Sequence, residues 1–267
     1  MKAGEPDILV RITEAVRERL AHRPPPAGLE QRAREAAADR RRAARRSLHA
    51  ALTADGVRVI AECKRRSPSG GWLREPFDPV SLARAYEAGG AAAVSVVTEP
   101  EFFGGDSSWV PLVRTEVALP VMQKDFVLGP RQLFEAATLG ADAVLLIARV
   151  LPGTVLGEML AVSGELGLEA LVEIHDEEDL GRALELPAPL VGINARDLRT
   201  FRVDLEAAAD LANKVPGDRV AVLESGISGP AKVASLVQRG FRRFLVGEHL
   251  VRSGDPRAAL AELLACA

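Results

Sequence analysis

From residue 57 onward, apolar residues come in short runs of Val, Ile and Leu, each followed by polar residues and then by a stretch with helical spacing. The runs are VRVIAEC (57–63), AAVSVVT (92–98), LPVMQKDF (119–126), ADAVLLIA (141–148), LEALVEIH (168–175), PLVGIN (189–194), RVAVLES (219–225) and FRRFLVGE (241–248). Short, nearly continuous apolar runs rich in β-branched residues predict strands buried on both faces. Between them, SLARAYEAGG, PRQLFEAATLG, GEMLAVSGELG, EEDLGRALEL, DLEAAADLANK and PAKVASLVQRG place apolar residues three and four apart and predict helices. Several of these end in Gly, a helix C-terminal signal.

Eight strands alternating with helices predict an α/β fold, a (β/α)8 TIM barrel. The alternative is an open doubly wound sheet, but no G-x-G-x-x-G follows the first strand. Ahead of the barrel, residues 5–22 have helical periodicity, HRPPPAG breaks it, and residues 29–52 are again helical and rich in Ala and Arg. The expected organisation is a helical N-terminal extension over 1–55, packed on a barrel over 56–267.

Composition narrows the class. The 267 residues carry a net charge of −3, which singles out no partner by bulk electrostatics. The basic run RRRAARR at 40–46 lacks interleaved aromatics, so a solvated helix face with its alanines on the barrel is expected rather than a nucleic-acid contact. No apolar stretch approaches the ~18 residues of a membrane span, and the N-terminus is a poor signal peptide. The two cysteines, Cys63 and Cys266, suit neither a disulfide framework nor a zinc site. A cytoplasmic protein is expected. Only five of the 34 cations are lysine, so Lys64 and Lys124 stand out as candidates for sites needing a compact, tunable amine.

Polar residues enter the apolar runs almost only at their C-terminal ends, where a barrel of this kind does its chemistry. The first run ends Glu62-x-Lys64, and residues two apart on a strand share a face. The third ends Lys124-Asp125-Phe126, the fifth Glu173-x-His175, the sixth Asn194-x-Arg196, the seventh Glu224-Ser225-Gly226 and the eighth Gly247-Glu248. Unpaired buried charge is costly, so these groups must pair with each other or with a ligand. Gly226 and Gly247, with Ser225 and the charge of Lys64, suit a phosphate held by backbone N–H groups after the last two strands. Phe103, in TEPEFFGG, and Phe126 could wall a slot for a ring, while Phe102 reads as core.

These stretches resemble the indole-3-glycerol-phosphate synthase family. IAECKRRSPSGG, TEPEFFGG, QKDFVLGPRQLFEAATLGADAVLLI, LVEIHDEEDL, GINARDLRTFRVDL and ESGISGPAKV…LVGEHL carry the resemblance over nearly the whole chain. The resemblance implies a carbon–carbon lyase of tryptophan biosynthesis that converts 1-(2-carboxyphenylamino)-1-deoxyribulose 5-phosphate to indole-3-glycerol phosphate. The ring carbon bearing the carboxylate attacks the ribulose carbonyl, then CO2 and water leave, with no cofactor and no metal. It implies Lys124 as general acid, with a lowered pKa, and Lys64 on the substrate carboxylate, on the phosphate, or in a later proton transfer. Glu62 and Glu173 would deprotonate and dehydrate, while Asn194 and Glu224 orient hydroxyls. Ser67 and Pro68 would place the anthranilate end, Arg196 would hold the site's charges, and Ser225, Gly226, Gly247 and the Glu248 backbone would take the phosphate.

Three positions depart from the family's usual residues. Gln123 and Ala195 replace Arg and Asn at positions expected to face away from the mouth. Glu248 replaces Ser or Asn, and its carboxylate must turn from a phosphate. The expected partner is a small phosphorylated substrate, with no nucleic acid and no membrane. A monomer is expected, with a dimer as the alternative. The nearest competing reading is another phosphosugar-processing barrel, an isomerase or epimerase, which would have no carboxylated ring to hold.

Overall fold

The computed structural model of the chain describes residues 7–42, 46–197 and 202–266. Part of the basic run at 40–46, and residues 198–201 of the G-I-N-x-R-D-L-x-T-F motif, lie outside the described residues.

Three helices come first: α1 (Ile8–His22), α2 (Leu29–Arg42) and α3 (Leu48–Thr53). The sequence pattern over 29–52 predicts one helical segment, whereas the structure has two. Ser47 is the reason at the second start: its hydroxyl accepts from the Ala50 N–H, so α3 begins afresh. In α1 the apolar residues Ile8, Ile12 and Val16, four apart, form one buried stripe, and Asp7 caps the helix by accepting from Leu9 N–H.

All eight predicted strands form. The first, β1 (Arg58–Cys63), is followed by a hairpin of β2 (Arg66–Ser67) and β3 (Gly71–Trp72), then α4 (Pro79–Ala88) and β4 (Ala93–Val97). Next come α5 (Pro100–Phe103), α6 (Trp109–Glu116), β5 (Val121–Lys124), α7 (Pro130–Leu139) and β6 (Ala143–Ile147). A single helical turn at Ala148–Val150 leads to α8 (Val155–Glu165), β7 (Glu169–Ile174), α9 (Glu177–Leu184) and β8 (Leu190–Asn194). The chain ends with α10 (Leu205–Ala212), β9 (Val220–Glu224), α11 (Pro230–Gln238), β10 (Arg243–Val246), α12 (Glu248–Arg252) and α13 (Pro256–Leu264).

The strands close into a parallel barrel in the order β1-β10-β9-β8-β7-β6-β5-β4, and β4 returns to pair with β1. It is a (β/α)8 barrel, with helices packed around the strands. Cross-strand partners point the same way, so the register sets Glu62 beside Ser95 and Ser95 beside Met122 on the inner face. The lower interior is filled by residues such as Ile60, Met122, Leu145, Leu171 and Leu245.

The N-terminal helices close both ends of this interior. Leu48 and Leu52 of α3 are fully buried in the same cluster and lie against β1 and β9. Ile8, Leu9 and Ile12 of α1 reach it from the opposite end, where the strands finish. Helix α2 packs on α7, with Ala33 and Ala37 fully buried, and Arg40 donates to the carbonyls of Ala137 and Ala141. No helix among the described residues is long and apolar enough to cross a membrane.

Candidate active site

A cavity of about 640 Å³ opens at the C-terminal ends of the strands. Every site residue expected from the sequence lines it. Its floor holds two lysines and three glutamates. Lys64 Nζ lies 2.6 Å from Glu62 Oε1, and Lys124 Nζ lies 3.2 Å from Glu173 Oε2 and 3.3 Å from Glu224 Oε2. The three carboxyls are almost wholly buried. In the cup the charges offset each other's burial by pairing.

The pairing overturns one expectation. Lys124 was expected to have a lowered pKa. Burial does pull it down, but the charges of Glu224, Glu173 and Glu62 together win, and it stands above the ordinary lysine value. The flanking carboxyls are driven apart. Burial raises Glu173, yet Lys124, His175 and a hydrogen bond from Asn194 bring it below the usual range. Burial pushes Glu224 up to about 8, reinforced by Glu173 and Glu62 and opposed by Lys124. Of the two carboxyls beside the ammonium, Glu224 is thus the one driven toward keeping its proton and Glu173 the one driven to give it up.

Two glycines make room for these groups. A Cβ on Gly192 would overlap Oε1 of Glu224, and a Cβ on Gly247 would overlap Oε1 of Glu62. Gly247, expected at the phosphate site, lines the cavity, and the Glu62 carboxylate occupies the space beside its Cα. Gly226 has a positive φ of 76°, as does Ser225 at 65°, and a Cβ on Gly226 would crowd Val203 and Leu205. Gln123 and Ala195 are buried outside the cavity lining, and Gln123 Nε2 donates to Thr98 Oγ1.

The walls are built from three directions. Phe103 ends α5 and Phe126 follows β5, and their ring centroids are 6.0 Å apart. Glu99, fully buried, accepts from the N–H groups of Glu101, Phe102 and Phe103 and so fixes α5. Arg19 of α1 donates to Glu99 at 3.2 Å and stands 3.9 Å from Asp125, tying both phenylalanine-bearing loops to the N-terminal helix. The loop after β1 carries Ser67 and Pro68. Ser67 Oγ accepts from Gly70 N–H, Arg196 Nη1 donates to Ser69 Oγ, and Arg252 donates to the Gly70 carbonyl. Glu248 directs its carboxylate to Arg252 at 3.0 Å, leaving the backbone corner formed with Ser225, Gly226 and Gly247 to face the cavity.

Sequence reasoning did not select Arg19, Glu99 or Gly192, and named His175 only as part of the polar end of the fifth run. Only His175 gave a signal, being two positions past Glu173 and so on the same strand face.

The sequence model of the family described as indole-3-glycerol phosphate synthase matches residues 9–263 of this chain. The chain belongs to the indole-3-glycerol phosphate synthase family. Members of the family are carboxy-lyases of tryptophan biosynthesis. The indole-3-glycerol phosphate synthase of Rhodopirellula baltica is 48% identical over 82% of this chain and 85% of its own length. That of Mycolicibacterium vanbaalenii is 43% identical over 98% of this chain and 95% of its own. Among solved structures, a 3-hexulose-6-phosphate synthase superposes with TM-score 0.63 at 16% identity, over 78% of this chain and 99% of its own. A thiamine phosphate pyrophosphorylase from Pyrococcus furiosus gives TM-score 0.60 at 18% identity, over 82% and 97%. These two share the fold alone.

Proposed function

We propose that the paired charges on the cavity floor carry out the family's ring closure in this chain, with Lys124 as the general acid. The observation that carries the reading is the Lys124 ammonium held between Glu173 and Glu224 in a buried cup. As the anthranilate carbon attacks the ribulose carbonyl, the oxygen becomes strongly basic and takes a proton from Lys124. The carboxylate then leaves as CO2, which restores the aromatic ring. The new hydroxyl leaves as water with a second proton, while a base removes one proton from the adduct. Overall the reaction consumes one proton.

Glu173, ionised and beside Lys124, acts as the base, and Glu62 shares the proton transfers. Lys64 exchanges its pairing with Glu62 for the substrate carboxylate. Asn194 and the protonated Glu224 orient the hydroxyls. The ring lies between Phe103 and Phe126, with Ser67 and Pro68 at its anthranilate end and Arg196 holding that loop closed. The phosphate takes the backbone N–H groups near Ser225, Gly226, Gly247 and Glu248. The test is to mix the protein with 1-(2-carboxyphenylamino)-1-deoxyribulose 5-phosphate and follow indole fluorescence, alongside Lys124→Ala. Turnover that survives Lys124→Ala would place the acid elsewhere.

A further inference from the structure

A line of three side chains runs from the helix layer through the barrel wall into the cup. Asp179, in the first turn of α9, has its Oδ2 3.7 Å from Nδ1 of His175. His175 Nε2 lies 3.5 Å from Oε1 of Glu173. The His175 side chain is 4% exposed, and those of Asp179 and Glu173 are 3% and 2% exposed. Both ring nitrogens face carboxylate oxygens, at 3.5 and 3.7 Å, longer than an ordinary hydrogen bond. A histidine kept only for packing would have its polar atoms satisfied, because burying them unpaired is costly.

The outer end of the line is fixed. Asp179 accepts from Arg182 Nη2 at 2.7 Å and from the His175 backbone N–H at 3.1 Å, and Arg149 Nε stands 3.4 Å away. The inner end has its oxygens divided: Glu173 Oε2 faces Lys124, and Oε1 faces the imidazole. The charged groups around the ring are Glu173 on its own strand, Asp176, Asp179 and Arg182 at the start of α9 and on it, and Arg149 from the turn after β6. Beyond Glu173 stand Lys124 and Glu224.

We propose that His175, braced by Asp179, is the positioning residue of Glu173. The inference rests on the reading of Glu173 as the base. A shift of a few tenths of an ångström brings Nε2 into hydrogen-bonding range of Oε1, a tightening expected when substrate fills a site. That bond pins the plane of the carboxylate and keeps Oε2 directed into the cup, where it meets Lys124 and the substrate. Without it the carboxylate is held by Lys124 and Asn194 alone, and misplacing a base by an ångström costs up to about a hundredfold in rate. The imidazole also helps to hold Glu173 ionised, so its removal raises the carboxyl's titration.

The test compares kcat, KM and the pH profile of His175→Leu, His175→Gln and Glu173→Gln with the parent. His175→Leu is expected to lower kcat about ten- to a hundredfold, with KM within twofold, and to move the acid limb of kcat to higher pH. His175→Gln, whose amide nitrogen can occupy the place of Nε2, is expected to recover most of the rate. An unmoved acid limb, a change confined to KM or Tm, or Gln no better than Leu would overturn the proposal. If the leucine variant does not fold, His175→Gln and Asp179→Asn decide: near-parental rate in the first with a raised acid limb in the second supports it, and the absence of either overturns it. Activity retained by Glu173→Gln would instead remove the reading of the base. Loss of activity there, with His175→Leu indistinguishable from the parent, would remove only the role of His175.

Discussion

Glu224 stands over Gly192 in the space a side chain would occupy: a Cβ there would overlap Oε1 of the glutamate. The carboxyl beside Lys124 thus owes its place to an absent methyl on the next strand. Gly192→Ala is expected to push it aside. Only the end of a side chain must move, so the stability cost is about 1 kcal/mol, or about 2–4 °C in Tm. The rate should fall tenfold or more. Thermal unfolding beside kinetics checks this, and a loss of Tm without a loss of kcat would contradict it.

Lys124→Ala removes the general acid and leaves Glu173 and Glu224 facing each other without their cation. A loss of about 10²–10⁴ in kcat is expected. Lys124→Arg should not restore it, because a guanidinium does not give up its proton. Steady-state rates of the two variants check both statements.

Stability should depend on pH through Glu224. In the unfolded chain its carboxyl titrates near 4.3, and in the fold at about 8. Between those values the folded state binds a proton that the unfolded state lacks, so stability falls as pH rises. The contribution is complete below about 4.3 and lost as pH passes 8. Tm should therefore decline from pH 5 to pH 8 more steeply in the parent than in Glu224→Gln. Parallel slopes would show that the carboxyl does not hold its proton.

Arg19→Ala should loosen α1 from the loops that carry Phe103 and Phe126. The half-buried pair with Glu99 contributes about 1 kcal/mol, which corresponds to about fivefold in KM. The catalytic groups are untouched, so kcat should stay within twofold. An equal fall in kcat would mean that the clasp acts on chemistry rather than on binding.

At the other end of the barrel, Ser47 Oγ accepts from Ala50 N–H and donates to Glu169 Oε1 at 2.8 Å. Ser47→Ala should cost about 1 kcal/mol through loss of the cap. It should lower Tm and leave kcat and KM unchanged, because this face of a barrel supports stability. Kinetics measured well below Tm separate the two effects.

The strands and the face carrying the chemistry were legible because strand periodicity is strict. Glu62 and Lys64 had to share a face, and a barrel gives that face one mouth. Helix α6 was not legible, since it carries Pro111 within it. The β2–β3 hairpin has two residues per strand and leaves no periodic trace. The bridge from Arg19 to Glu99 spans 80 positions and no local rule joins them. The direction of the Lys124 shift depended on which charges lie nearest. Three carboxyl groups surround it, a fact of register and not of composition. Gly192 gave no sign in the sequence, because its role is the room it leaves for Glu224 on the neighbouring strand.

Helices α1 and α3 close the two ends of the barrel from a segment that precedes it in the chain. On the ribosome, that segment therefore emerges long before its docking surfaces exist. The partner of Arg19 is synthesised 80 residues later, and the floor that receives Leu48 and Leu52 is complete only when β10 pairs with β1. Until then the stripes of Ile8, Ile12 and Val16 and of Leu48 and Leu52 stay in water. The nascent chain carries them as short apolar patches, separated by α2, and the sealing of the barrel's ends waits on the pairing of β10 with β1.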